Sequence, residues 1–245
     1  MSTPALPDES IPALSEGQRL LYTFTAPSKT MADLRRNASW WVPWLLISII
    51  SIAFCYTLDR KIGWGQVMET EIQSNPKSAE KMDRMAPEQR EKIVKIQETS
   101  ARVVGYASPV MTLLMLVVVA GALLAMFNFG FGAKLRFSEL MGVAAYGYLP
   151  SILNSLLIVL VMFFVAPETF DINHPLATNP GYFVPGTMPF LRGTLGAFDV
   201  FTLWQVLLLA IGVSQLSKVK RGTAFVAIFA LVLIGKMAGG ALASM

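Results

Sequence analysis

Five stretches of the chain are nearly free of charge and long enough to cross a lipid bilayer. They cover about 40–58, 106–129, 139–165, 198–216 and 223–242, with polar connections between them. A helix rising about 1.5 Å per residue needs roughly 20 apolar residues to cross a hydrocarbon core of about 30 Å. The pattern therefore predicts an all-α fold, a polytopic transmembrane helical bundle with about five spans. The first span opens on Trp40, Trp41 and Trp44, side chains suited to a membrane–water interface, and stops at Asp59, Arg60 and Lys61. The third is longer than a straight span requires and carries Pro150 near its middle.

The connections carry their own signals. Residues 1–25 are polar and dotted with proline, predicting a disordered start and a short interfacial helix around Leu20–Phe24. Ser28 is placed to cap a helix that begins after Pro27. The region 61–103 is the one sizeable hydrophilic loop. Asn75-Pro76 reads as a helix start, and from Pro87 to Val104 the pairs Glu88–Lys92, Glu91–Lys95 and Glu98–Arg102 sit one turn apart with the acid first, the stabilising order. Ile93, Ile96, Val103 and Val104 fall near one face of that helix. It is read as a solvated extension of the second span, or as a docking face for a partner. The loop 166–197 carries Pro175, Pro180, Pro185 and Pro189 after Pro167, which argues against regular structure there. Its Phe170, Tyr182, Phe183, Phe190 and Leu191 suit a loop lying on the membrane or folded over the bundle mouth. Residues 26–245 are read as one membrane domain.

Composition sharpens this reading. Of the 245 residues 54% are apolar and 15% charged, against about 25% charged in a soluble domain. One core of this size cannot hide so many uncharged runs, whereas a bilayer can. The single Cys55 excludes an internal disulfide and reads as a small buried hydrophobe. The early segment lacks the pattern of a cleaved secretory signal, so the first span is expected to remain in the membrane.

Basic residues set an orientation. Lys29, Arg35 and Arg36 precede span one, Lys134 and Arg136 separate spans two and three, and Lys218, Lys220 and Arg221 separate spans four and five. With five spans all three clusters share a side, which the positive-inside rule makes cytoplasmic. The N-terminus is then inside and the C-terminus outside. The loop 61–103, with eight Lys or Arg and seven acids, opposes this count. The net charge of +4 resides mostly beside the spans, which favours anionic lipid headgroups as partners over nucleic acid.

Enzymatic signatures are missing. His174 is the one histidine, and one histidine with one cysteine cannot supply a metal site, an H-E-x-x-H helix or a Ser-His-Asp triad. No phosphate-cradling P-loop occurs, and Asp199 is the one aspartate within a span, so an aspartyl dyad is excluded. No motif calls for a cofactor. The polar residues inside spans say more. Lys236 lies well within the fifth span, where an unpaired charge costs about 2.5–3.5 kcal/mol on the insertion scale. It is read either as structural, paired with Asp199 or snorkelling outward, or as the lining of a polar cavity that binds a lipid headgroup or another ligand. Gly235 and Gly239 around it, and Gly121 in span two, form small-residue stripes suited to close helix packing. In Tyr146-Gly147-Tyr148-Leu149-Pro150 the proline removes a ladder donor and clashes with the Tyr146 carbonyl, predicting a kink. Asn154 follows one turn on. Tyr146, Tyr148, Pro150 and Asn154 are thus helix glue, or the hinge or floor of a binding site.

The segment Phe24-Thr25-Ala26-Pro27-Ser28-Lys29-Thr30-Met31-Ala32-Asp33-Leu34, then Trp40-Trp41-Val42-Pro43, resembles the entry to the Yip domain of the bacterial branch of the Yip family, the Ypt/Rab-interacting membrane proteins. The Tyr146–Pro150 stretch and the last two spans joined by a basic turn are also similar. The resemblance covers about residues 18–243 and implies five spans with the N-terminus inside. Gly147-Tyr148-Leu149-Pro150 is a partial match to the G-Y-G-P motif of eukaryotic relatives, and their D-L-Y-G-P motif is not evident. Two functions are expected: a non-enzymatic scaffold that organises membranes or membrane partners, as an oligomer or with another membrane protein, or a small transporter or lipid-handling protein whose cavity is lined by the kinked third span and Lys236.

Overall fold

The computed structural model describes residues 13–74 and 76–243. Among them every regular element is helical. Helix α1 spans Glu16–Thr25 and α2 spans Pro27–Asp33. A reciprocal cap starts α1: Ser15 Oγ accepts from the Gln18 N–H at 3.2 Å, and Gln18 Oε1 accepts from the Ser15 N–H at 2.9 Å. The expected disorder thus gives way to a helix from Glu16 onward, and residues 1–12 lie outside the described chain. Ser28 is not the cap of α2, which begins on Pro27 itself; the Ser28 Oγ accepts from Arg221 at 3.3 Å.

Four helical stretches are long and apolar enough to cross a membrane: Trp41–Lys61, Ser108–Gly130, Phe137–Val161 and Arg221–Leu242. The first is α3 (Trp41–Lys61). Three helices follow in the hydrophilic region, α4 (Trp64–Ser74), α5 (Pro76–Asp83) and α6 (Pro87–Tyr106). The second stretch is α7 (Ser108–Ala125), ending in a π-helical turn over Met126–Gly130. The third is α8 (Phe137–Gly147) followed by α9 (Pro150–Val161). Pro150 does interrupt the ladder, but as the first residue of a new helix: the Tyr148 N–H still reaches Ala144 O, and the Leu149 N–H closes a tighter turn on Tyr146 O. A fifth span is available as a bent pair, Pro189–Phe198 and Val200–Leu216, meeting at 50°. Its parts are α10 (Pro189–Leu195), a 3₁₀ turn over Gly196–Phe198, and α11 (Val200–Leu216). The fourth long stretch is α12 (Arg221–Ala243).

The proline-rich loop is more regular than its composition suggests. It holds 3₁₀ turns at Pro167–Thr169 and Pro180–Phe183, besides α10. Pro167, Pro180 and Pro189 each sit at the start of one of these elements, where the missing N–H removes no bond. They initiate turns of helix instead of breaking them.

The chain divides into two compact units. The first comprises the chain up to Leu46, Leu113–Leu149 and Trp204–Phe229. In its core Met31, Leu34, Leu116, Phe127, Leu140, Val143, Leu208 and Ile228 are all buried. Here α8 and α11 approach closely through glycine. A Cβ on Gly147 would lie 2.6 Å from a Leu209 methyl carbon, and one on Gly212 would lie 2.5 Å from a Val143 methyl carbon. The second unit comprises Ile47–Thr112, Pro150–Leu203 and the chain from Ala230. Cys55, Leu58, Ile62, Trp64, Val67, Ile158, Met162 and Phe170 form its apolar core. The small-residue stripes read from the sequence play no such part within the chain, since a Cβ on Gly121, Gly235 or Gly239 would meet nothing within 4 Å.

Candidate functional site

The second unit contains a cavity of about 540 Å³. It is assembled from the proline-rich loop, α9, α10, the start of α11 and the later turns of α12. Glycine lets these elements meet. A Cβ on Gly240 would lie 2.9 Å from the Phe190 carbonyl oxygen, so α10 rests on the backbone of α12. A Cβ on Gly181 would lie 2.4 Å from the Arg192 carbonyl oxygen, which seats the Pro180–Phe183 turn against α10 in the same way.

Carboxylates of the cavity are engaged within the chain. Asp199 ends the 3₁₀ turn in an extended conformation and caps α11, its Oδ1 accepting from the N–H groups of Phe201 (2.9 Å) and Thr202 (3.2 Å). Its Oδ2 accepts from the Thr178 hydroxyl. Asp171, next to the lining residues in the same loop, accepts from the Asn173 N–H at 2.9 Å and from Arg192 Nη2 at 2.8 Å. Glu71, also in the lining, is engaged as well.

The donors are not filled. Among the described residues no carboxylate lies within ion-pair distance of Lys236, whose Nζ is 4.0 Å from the point a Gly196 Cβ would occupy. Arg192 Nε and His174 Nδ1 are buried without a hydrogen-bond partner. Burial pushes the His174 pKa below the ordinary histidine value; the Arg192 charge and, less strongly, that of Lys236 act in the same direction, with Asp171 opposing. A site with satisfied acceptors and spare donors is complementary to a ligand rich in acceptor oxygens.

Of the residues singled out in the sequence, Lys236, Asp199, Asn154, Gly235 and Gly239 line this one cavity. Lys236 and Asp199 share it without forming a pair. Sequence reasoning missed Arg192 and Asp171 and weighed His174 only for a metal site or a catalytic triad. A signal existed, because Arg192 is the one Lys or Arg in 166–197 and its acids there are Glu168 and Asp171 alone.

Tyr146 belongs elsewhere. In the first unit its hydroxyl donates to Glu16 Oε2 at 2.6 Å. Arg19, 1% exposed, is held by Asp33 through Nε (2.8 Å) and Nη2 (2.7 Å) and lies 3.4 Å from Glu16. Thr23 and Thr30 both donate to the Arg19 carbonyl, at 2.8 and 3.0 Å. Tyr148 is half-buried at the turn before Pro150. All eight basic residues flanking the spans, Lys29, Arg35, Arg36, Lys134, Arg136, Lys218, Lys220 and Arg221, are exposed, and all belong to this unit. Asn128 shapes the turn that presents Lys134 and Arg136, bonding the Leu135 N–H and carbonyl at 3.0 Å each.

No curated protein and no solved structure matches the chain. Residues 21–242, from within α1 to the last turns of α12, match the family model of the Yip1 domain. With its uncharged helices long enough to span a bilayer, the chain is an integral membrane protein that belongs to the Yip1 domain family.

Proposed function

We propose that this is a non-enzymatic, lipid-handling membrane protein that holds a headgroup in the cavity of its second unit. The observation that carries this reading is Lys236, a cation without a carboxylate partner that faces a polar cavity. As half of a structural pair Lys236 would meet Asp199, and that carboxylate is instead committed to capping α11. The eight exposed basic residues of the first unit support contact with anionic headgroups, with the N-terminus cytoplasmic in a bacterial inner membrane. The loop that lines the cavity then lies on the outer side.

The test is Lys236→Met. Native mass spectrometry of the purified variant is expected to show loss of lipid retained by the wild type, with thermal stability unchanged. Equal lipid retention by the two proteins would refute the reading. A fall in stability without any change in retained lipid would return Lys236 to a structural role.

A second reading, organisation of membranes through a partner, rests on α6. That helix leaves Ile96 65%, Val103 63% and Val104 55% exposed beside its ion pairs. Such a face suits a second copy of the chain or another membrane protein.

A further inference from the structure

Beyond the reading of a headgroup cavity, on which this inference rests, we propose that the occupant is a singly charged phosphate group, bound by Lys236, Arg192 and His174, and that His174 takes up a proton as it binds. The unpaired donors carry the first half. Lys236 and Arg192 are the permanent cations of the lining, and Asp171 already neutralises Arg192. Asp199 is spent on the cap of α11 and the Thr178 hydroxyl, and Glu71 is engaged too. What remains is an ammonium at Lys236 with no carboxylate within ion-pair distance among the described residues, together with the spare Arg192 Nε–H and the unpartnered His174 Nδ1. One negative charge spread over several oxygens answers all three, and that is the chemistry of a phosphate monoanion.

The second half follows from what faces the imidazole. Burial, Arg192 and Lys236 disfavour the charged form of the His174 imidazole, with Asp171 opposing them. A phosphate between the cations cancels that repulsion and accepts a hydrogen bond from a protonated ring. By linkage the bound state then holds more protons than the free one, so affinity rises as pH falls from the neutral range toward the acidic side of the usual histidine value. A one-unit rise in the His174 pKa on binding corresponds to about tenfold in affinity between the two ends of the range.

Two sources offer this chemistry, a phosphodiester lipid and free phosphate, and the committed source is the lipid. Full-length protein in a neutral maltoside detergent is titrated calorimetrically with short-chain phosphatidylglycerol, whose phosphodiester does not titrate in this range, and separately with inorganic phosphate. Each titration is made at pH 7.5 and 5.5, in buffers of differing ionisation enthalpy. The expected result is lipid binding about tenfold tighter at the lower pH with net proton uptake. His174→Gln loses the pH dependence and the proton uptake, and Lys236→Met weakens binding at both pH values. Lipid binding without pH dependence or proton uptake in the wild type overturns the role of His174 while leaving the cavity reading intact. The same pH dependence in His174→Gln overturns it equally. Inorganic phosphate binding as tightly as the lipid overturns the lipid source. No binding of either probe, or binding indifferent to Lys236→Met, overturns the cavity reading itself.

Discussion

A buried guanidinium is stable only when its donors and its charge are both answered, and Arg19 meets both conditions through two bonds to Asp33. The Asp33 side chain is itself 8% exposed, so each ion depends on the other. Removing one partner leaves a stranded charge, which costs about 3–5 kcal/mol. Arg19→Met is therefore expected to lower the melting temperature markedly in detergent. The double variant Arg19→Met with Asp33→Leu should recover most of the loss, and failure to recover would mean that the ion pair is not the cause. The sequence makes Arg19 hard to notice, because an arginine in an amphipathic polar segment is ordinary. The Ser15-Glu16-Gly17-Gln18 capping spacing was the available clue: it fixes the helix start, and hence the face on which Arg19 falls. Lys236 was easy to notice for the opposite reason, since a lone charge stands out in an uncharged run.

At the scale of elements, the spans were legible because uncharged runs of bilayer length allow few alternatives. The α6 segment was legible from its acid-first pairs; Glu98 does pair with Arg102, at 3.2 Å. The cavity was not legible. Its walls come from α9, α10, α11, α12 and a proline-rich loop, and no local pattern states which of these meet. The prolines misled because a starter and a breaker look alike until the neighbouring N–H groups are assigned. Glycine was ambiguous in the same way. Gly240 holds α10 against α12, whereas Gly121 borders open space. Gly240→Ala must push the Phe190 carbonyl away and is expected to destabilise by about 1–3 kcal/mol. Gly121→Ala should be neutral or slightly stabilising, because alanine is the better helix former by about 0.5–1 kcal/mol. Thermal unfolding of the two variants checks both statements. A clear loss of stability in Gly121→Ala would mean that this stripe packs against another copy.

At the scale of the whole molecule, single cysteines can report sidedness because the one natural thiol, Cys55, is buried. In a Cys55→Ala background, Ala177→Cys in the loop beside the cavity should react with an impermeant maleimide on intact cells. Gly222→Cys, beside the Lys218–Arg221 turn, should react only after lysis. The reverse pattern would invert the orientation and place the cavity loop on the cytoplasmic side. The link between Tyr146 and Glu16 also has a temporal side, because these partners stand 130 residues apart in the chain. At roughly 5–20 residues per second, a ribosome that has released Glu16 needs on the order of 10 s more to deliver Tyr146. Arg19 and Asp33, 14 residues apart, can meet almost at once. The amino-terminal hairpin is thus ready early and waits, clasped on itself, for a late-made tyrosine to fasten it.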